Sequence, residues 1–231
     1  MDLREFMSVR RAYNIVRQHS EPDERLTFEE FAVLCHLVAV DCPLRTSDIA
    51  AYQGALRPTM THRTNHLASL GLIERTEGDL DRRNVVCVAS AAGRARAERL
   101  AELTRAQIPS GRSLSRTSAE RIRKYVDAMG AFFCKAGDLV LLCLLAADCE
   151  PLSIMQMVDA LGLLQPTVSM SVSSLVEAGL VTRLRGVERG RTTCVALTPE
   201  GRSAAEALSS QIEGVVVRRK LRGQRGEKDE A

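Results

Sequence analysis

The segment LRPTMTHRTNHLASLGLIER, residues 56 to 75, is written again as LQPTVSMSVSSLVEAGLVTR, residues 164 to 183, with its leucines, proline, threonine and glycine in the same frame 108 positions later. The offset runs without a gap from Phe31 to Arg94 and from Leu139 to Arg202. It pairs Leu34 with Leu142, Pro43 with Pro151, Leu44 with Leu152, Gly54 with Gly162, Arg83 with Arg191 and Gly93 with Gly201. Identity over the block is only about a quarter, but apolar and glycine positions persist, as expected when a fold is duplicated and its surfaces diverge.

One copy reads as a consistent series of elements. DLREFMSVRRAYNIVRQHS has the apolar spacing of an amphipathic helix, and EPDERL breaks it. Thr27 then caps FEEFAVLCHLVAV, with Glu30 three residues on as a capping box requires. Asp41-Cys42-Pro43 ends that helix; TSDIAAYQG is a short helix from a polar cap to Gly54, which can turn left-handed. Pro58 suits the first turn of the next helix, where its missing N–H would be unpaired anyway. That helix places Met60, Thr64, Leu67 and Ala68 inward, matched by Val168, Val172, Leu175 and Val176; His62, Asn65, His66 and Ser69 face out. Gly71 closes it. LIERTEG and NVVCVAS read as two strands joined by the charged tip DLDRR, AAGRARAERLAELTRAQ as a helix, and IPSGRSLSRTS as a linker. TSAERIRKYVDAMGAFFCKA opens the second copy, which repeats the order and ends in a helix from about Pro199 to Val217.

Composition narrows the class. The 231 residues are 26% charged, 45% hydrophobic and 3% aromatic, with no tryptophan and a formal charge of +3, too small to prove a nucleic-acid partner. The amino terminus lacks the apolar core and cleavage site of a secretory signal, and the longest apolar run, Leu139 to Ala147, is about half of a membrane span. A cytoplasmic protein is expected. Seven cysteines form no C-x-x-C pair, so neither a disulfide framework nor a zinc site is signalled. Cys35 and Cys143 fall within matching apolar stretches and are read as core residues; Cys42 and Cys149 lie at the polar ends of those helices, where a redox switch is the competing reading.

Residues 47 to 94, SDIAAYQGALRPTMTHRTNHLASLGLIERTEGDLDRRNVVCVASAAGR, resemble the winged helix-turn-helix of the multiple-antibiotic-resistance regulator (MarR) family, whose wing carries an Asp-x-Arg tip before a Val-x-Leu-Thr strand end and a glycine. Here those positions are Asp81-Arg82-Arg83, Val86-Cys87-Val88-Ala89-Ser90 and Gly93. The second copy has Arg189-Gly190-Arg191, Val195-Ala196-Leu197-Thr198 and Gly201, keeping the Leu-Thr but losing the acidic residue. Family members are usually one-copy chains that pair as symmetric dimers through their first and last helices. The resemblance therefore implies a fused form, also seen among staphylococcal accessory regulators: mainly α with small β-wings, two winged helix-turn-helix domains in one chain, making an intrachain pseudo-dimer. Its parts are residues 1–107 and 116–217, each with flanking helices, and a basic then acidic tail, 218–231, expected to be disordered.

The third helix of each copy would enter the major groove, where every base pair shows its own donor and acceptor pattern. Arg57 opens the first such helix. Arg63 can donate twice to guanine, Asn65 can pair with adenine, Thr59 and Thr61 can reach phosphate, and His62 and His66 face outward; plain solvated residues are the alternative. His62 and His66 are also spaced for zinc, but no third ligand is nominated and no metal is expected. Arg83 and Arg191, at equivalent positions of the wing tips, suit a narrow minor groove, against the alternative of a charged, soluble hairpin tip, and Arg82 and Arg189 beside them are further candidate DNA contacts. The second head offers Gln165, Thr167, Ser169, Ser171 and Ser173 instead, with Met170 either touching a thymine methyl or packing inward. It is expected to be the weaker reader.

Nothing resembles a nucleophile–base pair, a phosphate loop or a carboxylate pair, so no enzyme and no cofactor are expected. The expected partner is double-stranded DNA, with a small-molecule effector between the helices left open and further oligomerisation optional. Repression is what the family implies. The rival class is a structural adaptor with tandem winged helices that binds protein; Arg57, Arg63, Arg82 and Arg83 oppose it in the first copy, while Met170 and Glu177 keep it open for the second.

Overall fold

The computed structural model describes residues 1–77, 85–185 and 193–217. Helix α1 (Leu3–His19) begins at Asp2, whose side chain accepts from the Glu5 amide while Glu5 accepts from the Asp2 amide. A 3-10 turn, Pro22–Glu24, occupies the expected break. The capping box of Thr27 and Glu30 starts α2 (Phe28–Val40), and Asp41, at φ 53°, stops it in the left-handed region.

A two-residue strand that the sequence did not signal, β1 (Leu44–Arg45), precedes α3 (Thr46–Tyr52). The polar cap expected for α3 does not form. Its N-cap is Arg45, which makes no side-chain cap bond, because the Thr46 hydroxyl is turned to the Val85 carbonyl at 3.1 Å. Helix α4 (Arg57–Ser69), strands β2 (Ile73–Glu77) and β3 (Val85–Ala89), and α5 (Ala91–Ala106) follow in the expected order.

After the linker come α6 (Ala119–Met129), α7 (Ala136–Ala146), β4 (Leu152–Ser153), α8 (Ile154–Leu161), α9 (Gln165–Glu177), β5 (Val181–Arg185), β6 (Thr193–Leu197) and α10 (Pro199–Glu213), the last ending short of Val217. The linker is anchored at two points: Ile108 is buried and Leu114 packs against the core. The wing tips with Asp81, Arg82, Arg83, Arg189, Gly190 and Arg191, and the tail 218–231, lie outside the described residues.

The element order α2-β1-α3-α4-β2-β3-α5 thus recurs as α7-β4-α8-α9-β5-β6-α10, and both antiparallel sheets place the last strand in the middle, β1-β3-β2 and β4-β6-β5. The register also repeats. Arg75 lies opposite Cys87, and Arg183 opposite Val195, 108 positions on in each case.

The paired glycines have a steric reason. A Cβ on Gly93 would run into the Leu72 carbonyl, and one on Gly201 into the Leu180 carbonyl. Ser90 and Thr198 hold those helix starts in place: each accepts from the glycine amide and donates to the carbonyl of Gly71 or Gly179, at 2.7 and 2.8 Å. Gly71 and Gly179, at φ +69° and +72°, supply the left-handed turn after each third helix.

The opening helices do not stay with their own copies. Helix α6 packs between α2 and α5, burying Ile122, Tyr125, Val126 and Met129, and Arg123 pairs with Glu98 of α5 at 3.0 Å. Helix α1 packs on α5 but also reaches the end of α8, where Asn14 Nδ2 donates to the Leu161 carbonyl at 2.9 Å and Gln18 to that of Gly162. One hydrophobic cluster consequently runs from Phe6 and Leu34 through Leu142 to Ile212. Cys35 and Cys143 lie in it, as expected. Burial holds the Cys35 thiol well above its ordinary range and pushes Cys143 to about 11. Among the described residues no helix is long and apolar enough to cross a membrane.

Candidate nucleic-acid interface

Helix α4 is fixed by one face and free on the other. Met60, Thr64 and Leu67 are buried, whereas Arg57, Thr59, Thr61, His62 and Asn65 are exposed. Pro58 falls in the first turn, so the helix starts without demanding a partner for that position. Leu56, the N-cap, is 76% exposed.

Three of the proposed base readers, Arg63, Asn65 and His66, are engaged within the protein. Arg63 Nη1 donates to Gln53 Oε1 at 3.1 Å, and buried Gln53 donates in turn to the Glu29 carbonyl at 3.3 Å. His66 does not point simply outward: its Nδ1 sits 2.7 Å from Oε1 of Glu30, a carboxylate only 4% exposed. The same Glu30 accepts from the Thr27 amide and hydroxyl at 2.7 and 3.0 Å, so one buried carboxylate joins the start of α2 to the third helix. His62, Asn65 and Ser69 remain on the rim of a groove of about 480 Å³ whose far wall carries Arg25. Among the described residues no three His, Cys, Asp or Glu side chains are grouped to hold a metal.

Helix α9 repeats the anchoring with Val168, Val172 and Leu175 buried, but Val176, expected inward, is exposed because the buried face is narrower than the spacing suggested. Of its proposed contact residues only Gln165 is fully exposed; Thr167, Ser169, Ser171 and Ser173 are half-buried. Ser173 also donates to the Ser169 carbonyl at 3.0 Å. The fully outward positions are instead Met170, Ser174 and Glu177.

A pair of residues escaped the sequence reading. Arg75, on β2, donates to Asn65 Oδ1, and Arg183, on β5, donates to Ser173 Oγ at 2.9 Å. Asn65 and Ser173 are equivalent, as are the two arginines, so each first wing strand is tied to its third helix at the same point. The signal was present in the repeat itself, where LIER and LVTR keep the arginine while changing its neighbours.

A second cleft, of about 1040 Å³, opens between α2, α3 and α6 and the residues after α10. His36 and Tyr52 stack there with ring centres 3.8 Å apart, and Asp127 of α6 lies 2.9 Å from His36 Nδ1 and accepts from the Tyr52 hydroxyl at 3.0 Å.

A family model described as bacterial regulatory protein, arsR family, matches residues 139–183, from α7 into β5. Among solved structures, BpsR of Bordetella bronchiseptica, described with regulation of its DNA binding by 6-hydroxynicotinic acid, is 25% identical over 47% of this chain and 79% of its own, with a TM-score of 0.35. The MarR family transcription regulator SP03579 is 20% identical over 53% of this chain and 76% of its own, with a TM-score of 0.33. No curated protein matches the chain. The matched segment holds α8 and α9 between β4 and β5, a helix-turn-helix with the flanking strands of a wing, and there the chain is similar to DNA-binding transcriptional regulators.

Proposed function

We propose that the chain is a cytoplasmic, non-enzymatic transcriptional repressor that binds an asymmetric duplex site, with its two unlike third helices acting as the two heads of an intrachain pseudo-dimer. The observation that carries this reading is the pair of outward stripes on α4 and α9, anchored alike but lettered differently: Arg57, His62 and Asn65 against Gln165, Met170 and Ser174. A symmetric dimer must present the same letters twice, and its site approximates a palindrome with half-sites about 10 bp apart or multiples of that spacing. A duplicated chain is free of that constraint. The packing of α1 and α6 supports the pseudo-dimer, since α6 is held by α2 and α5 of the first copy while α1 bridges α5 and the second copy's α8.

Arg57, Thr59 and Thr61 would reach phosphate and His62 a base edge; Arg63 would have to leave Gln53 before reaching a guanine, and Asn65 Oδ1 would have to leave Arg75 before pairing with an adenine. The wing arginines Arg82, Arg83, Arg189 and Arg191 would add minor-groove or phosphate contacts. The cleft at His36, Tyr52 and Asp127 has room for a small effector, and its walls include α3, which precedes the reading helix. Repression follows if the bound protein covers a promoter.

Selection from random duplexes, followed by gel shifts at two salt concentrations, tests the reading. The expected result is a non-palindromic site whose mismatches cost ~1 to 3 kcal/mol in the half read by α4 and less in the other. An inverted repeat constrained equally in both halves would overturn the asymmetric reading. The absence of any salt-dependent duplex binding would favour the protein-binding adaptor.

A further inference from the structure

Met170 sits at the centre of the outward stripe of α9, 72% exposed, at the position where α4 carries His62. It is therefore not a packing residue; the inward face is already filled by Val168, Val172 and Leu175. The residues beside it narrow what this face can recognise. Helix α9 contains no lysine or arginine, so it cannot make the two-bond arginine contact that selects guanine. Its single charge, Glu177, lies at the far end and repels phosphate. Leu164, immediately before the helix, is 58% exposed beside the exposed Gln165, so an apolar side chain also stands at the end that enters a major groove first. In that groove the one apolar group on a base edge is the thymine methyl. An unbranched, polarizable methionine can settle against it with little strain.

Resting on the regulator reading above, we propose that the second reading head recognises thymine methyl groups, with Met170 as its specificity-determining side chain. Ser173 beside it is engaged within the protein, donating to the Ser169 carbonyl and accepting from Arg183, and Ser174 donates or accepts without strong preference, which leaves the apolar contact to discriminate.

The test uses the full chain and the duplex obtained by selection, with thymines replaced by uracil in one half at a time. Uracil keeps every hydrogen-bonding group and loses only the methyl. Replacement in the half bound by α9 should weaken binding about 4-fold per contacted methyl, which is about 0.8 kcal/mol at 1.4 kcal/mol per tenfold. Met170→Gln should bind thymine and uracil duplexes equally in that half while keeping its sensitivity to mismatches in the other, and Met170→Leu should retain the methyl preference. The variants alter an exposed side chain, so folding is not at issue. If wild type binds the selected duplex but uracil costs nothing in either half, or if Met170→Gln keeps the full preference, thymine reading is overturned and the regulator reading stands. If wild type binds no duplex, both fall.

Discussion

Arg183 Nη2 lies 2.9 Å from Ser173 Oγ, so the first strand of the second wing is tied directly to the helix that would read the groove. Arg75 makes the equivalent bond to Asn65. Each arginine ties its wing strand to the third helix, and Arg183 is exposed beside the face that would meet a phosphate. Arg183→Ala is expected to lower duplex affinity by ~1 to 2 kcal/mol at physiological salt, the scale of one lost phosphate or groove contact. Stability should change by less than ~1 kcal/mol because the pair is at the surface. Fluorescence anisotropy beside a thermal melt checks both; unchanged affinity would remove the arginine from the interface.

Gly93→Ala and Gly201→Ala should each destabilise the fold by ~1 to 3 kcal/mol, because a methyl there meets a backbone carbonyl that cannot swing aside. Urea titration measures it. Equal loss at the two positions is expected from their equal geometry, and a neutral result at either would contradict the close approach.

Cutting the chain in the linker should separate partners that need one another. Residues 1–107 alone lose α6, whose Ile122, Tyr125, Val126 and Met129 cover α2 and α5. Uncovered, that apolar face should drive the fragment to oligomerise or unfold, and co-expression with residues 108–231 should restore a 1:1 complex. A monomeric 1–107 fragment with a cooperative melt would show that α6 is dispensable.

Thiol chemistry should divide the cysteines. Burial raises Cys143 from 9.0 to about 11 and Cys134 to about 12, so at pH 8 both are almost wholly protonated and unreactive. Alkylation followed by mass mapping should modify exposed Cys42 first and leave Cys35, Cys134 and Cys143 untouched until the protein unfolds. The sign for stability follows. The folded-state pKa is raised, so the contribution is complete below pH 9 and is lost as pH rises through about 11, giving alkaline destabilisation in that window.

The duplicated frame, the order of the helices and wing strands, the capping box at Thr27 and Glu30, and the buried faces of α4 and α9, Val176 excepted, were legible in the sequence. Each depends on periodicity or on local backbone geometry, which neighbouring residues determine. The third strand of each sheet was not legible, because a two-residue strand has no periodicity and exists only by pairing with β3 or β6. The engagement of His66 with Glu30, of Arg63 with Gln53 and of Arg183 with Ser173 joins residues 10 to 36 positions apart, and spacing alone cannot say which polar side chains will meet. Tertiary structure also decided that α6 belongs to the first copy's core. An amphipathic helix specifies that it must bury a face, and only the packed molecule specifies against what.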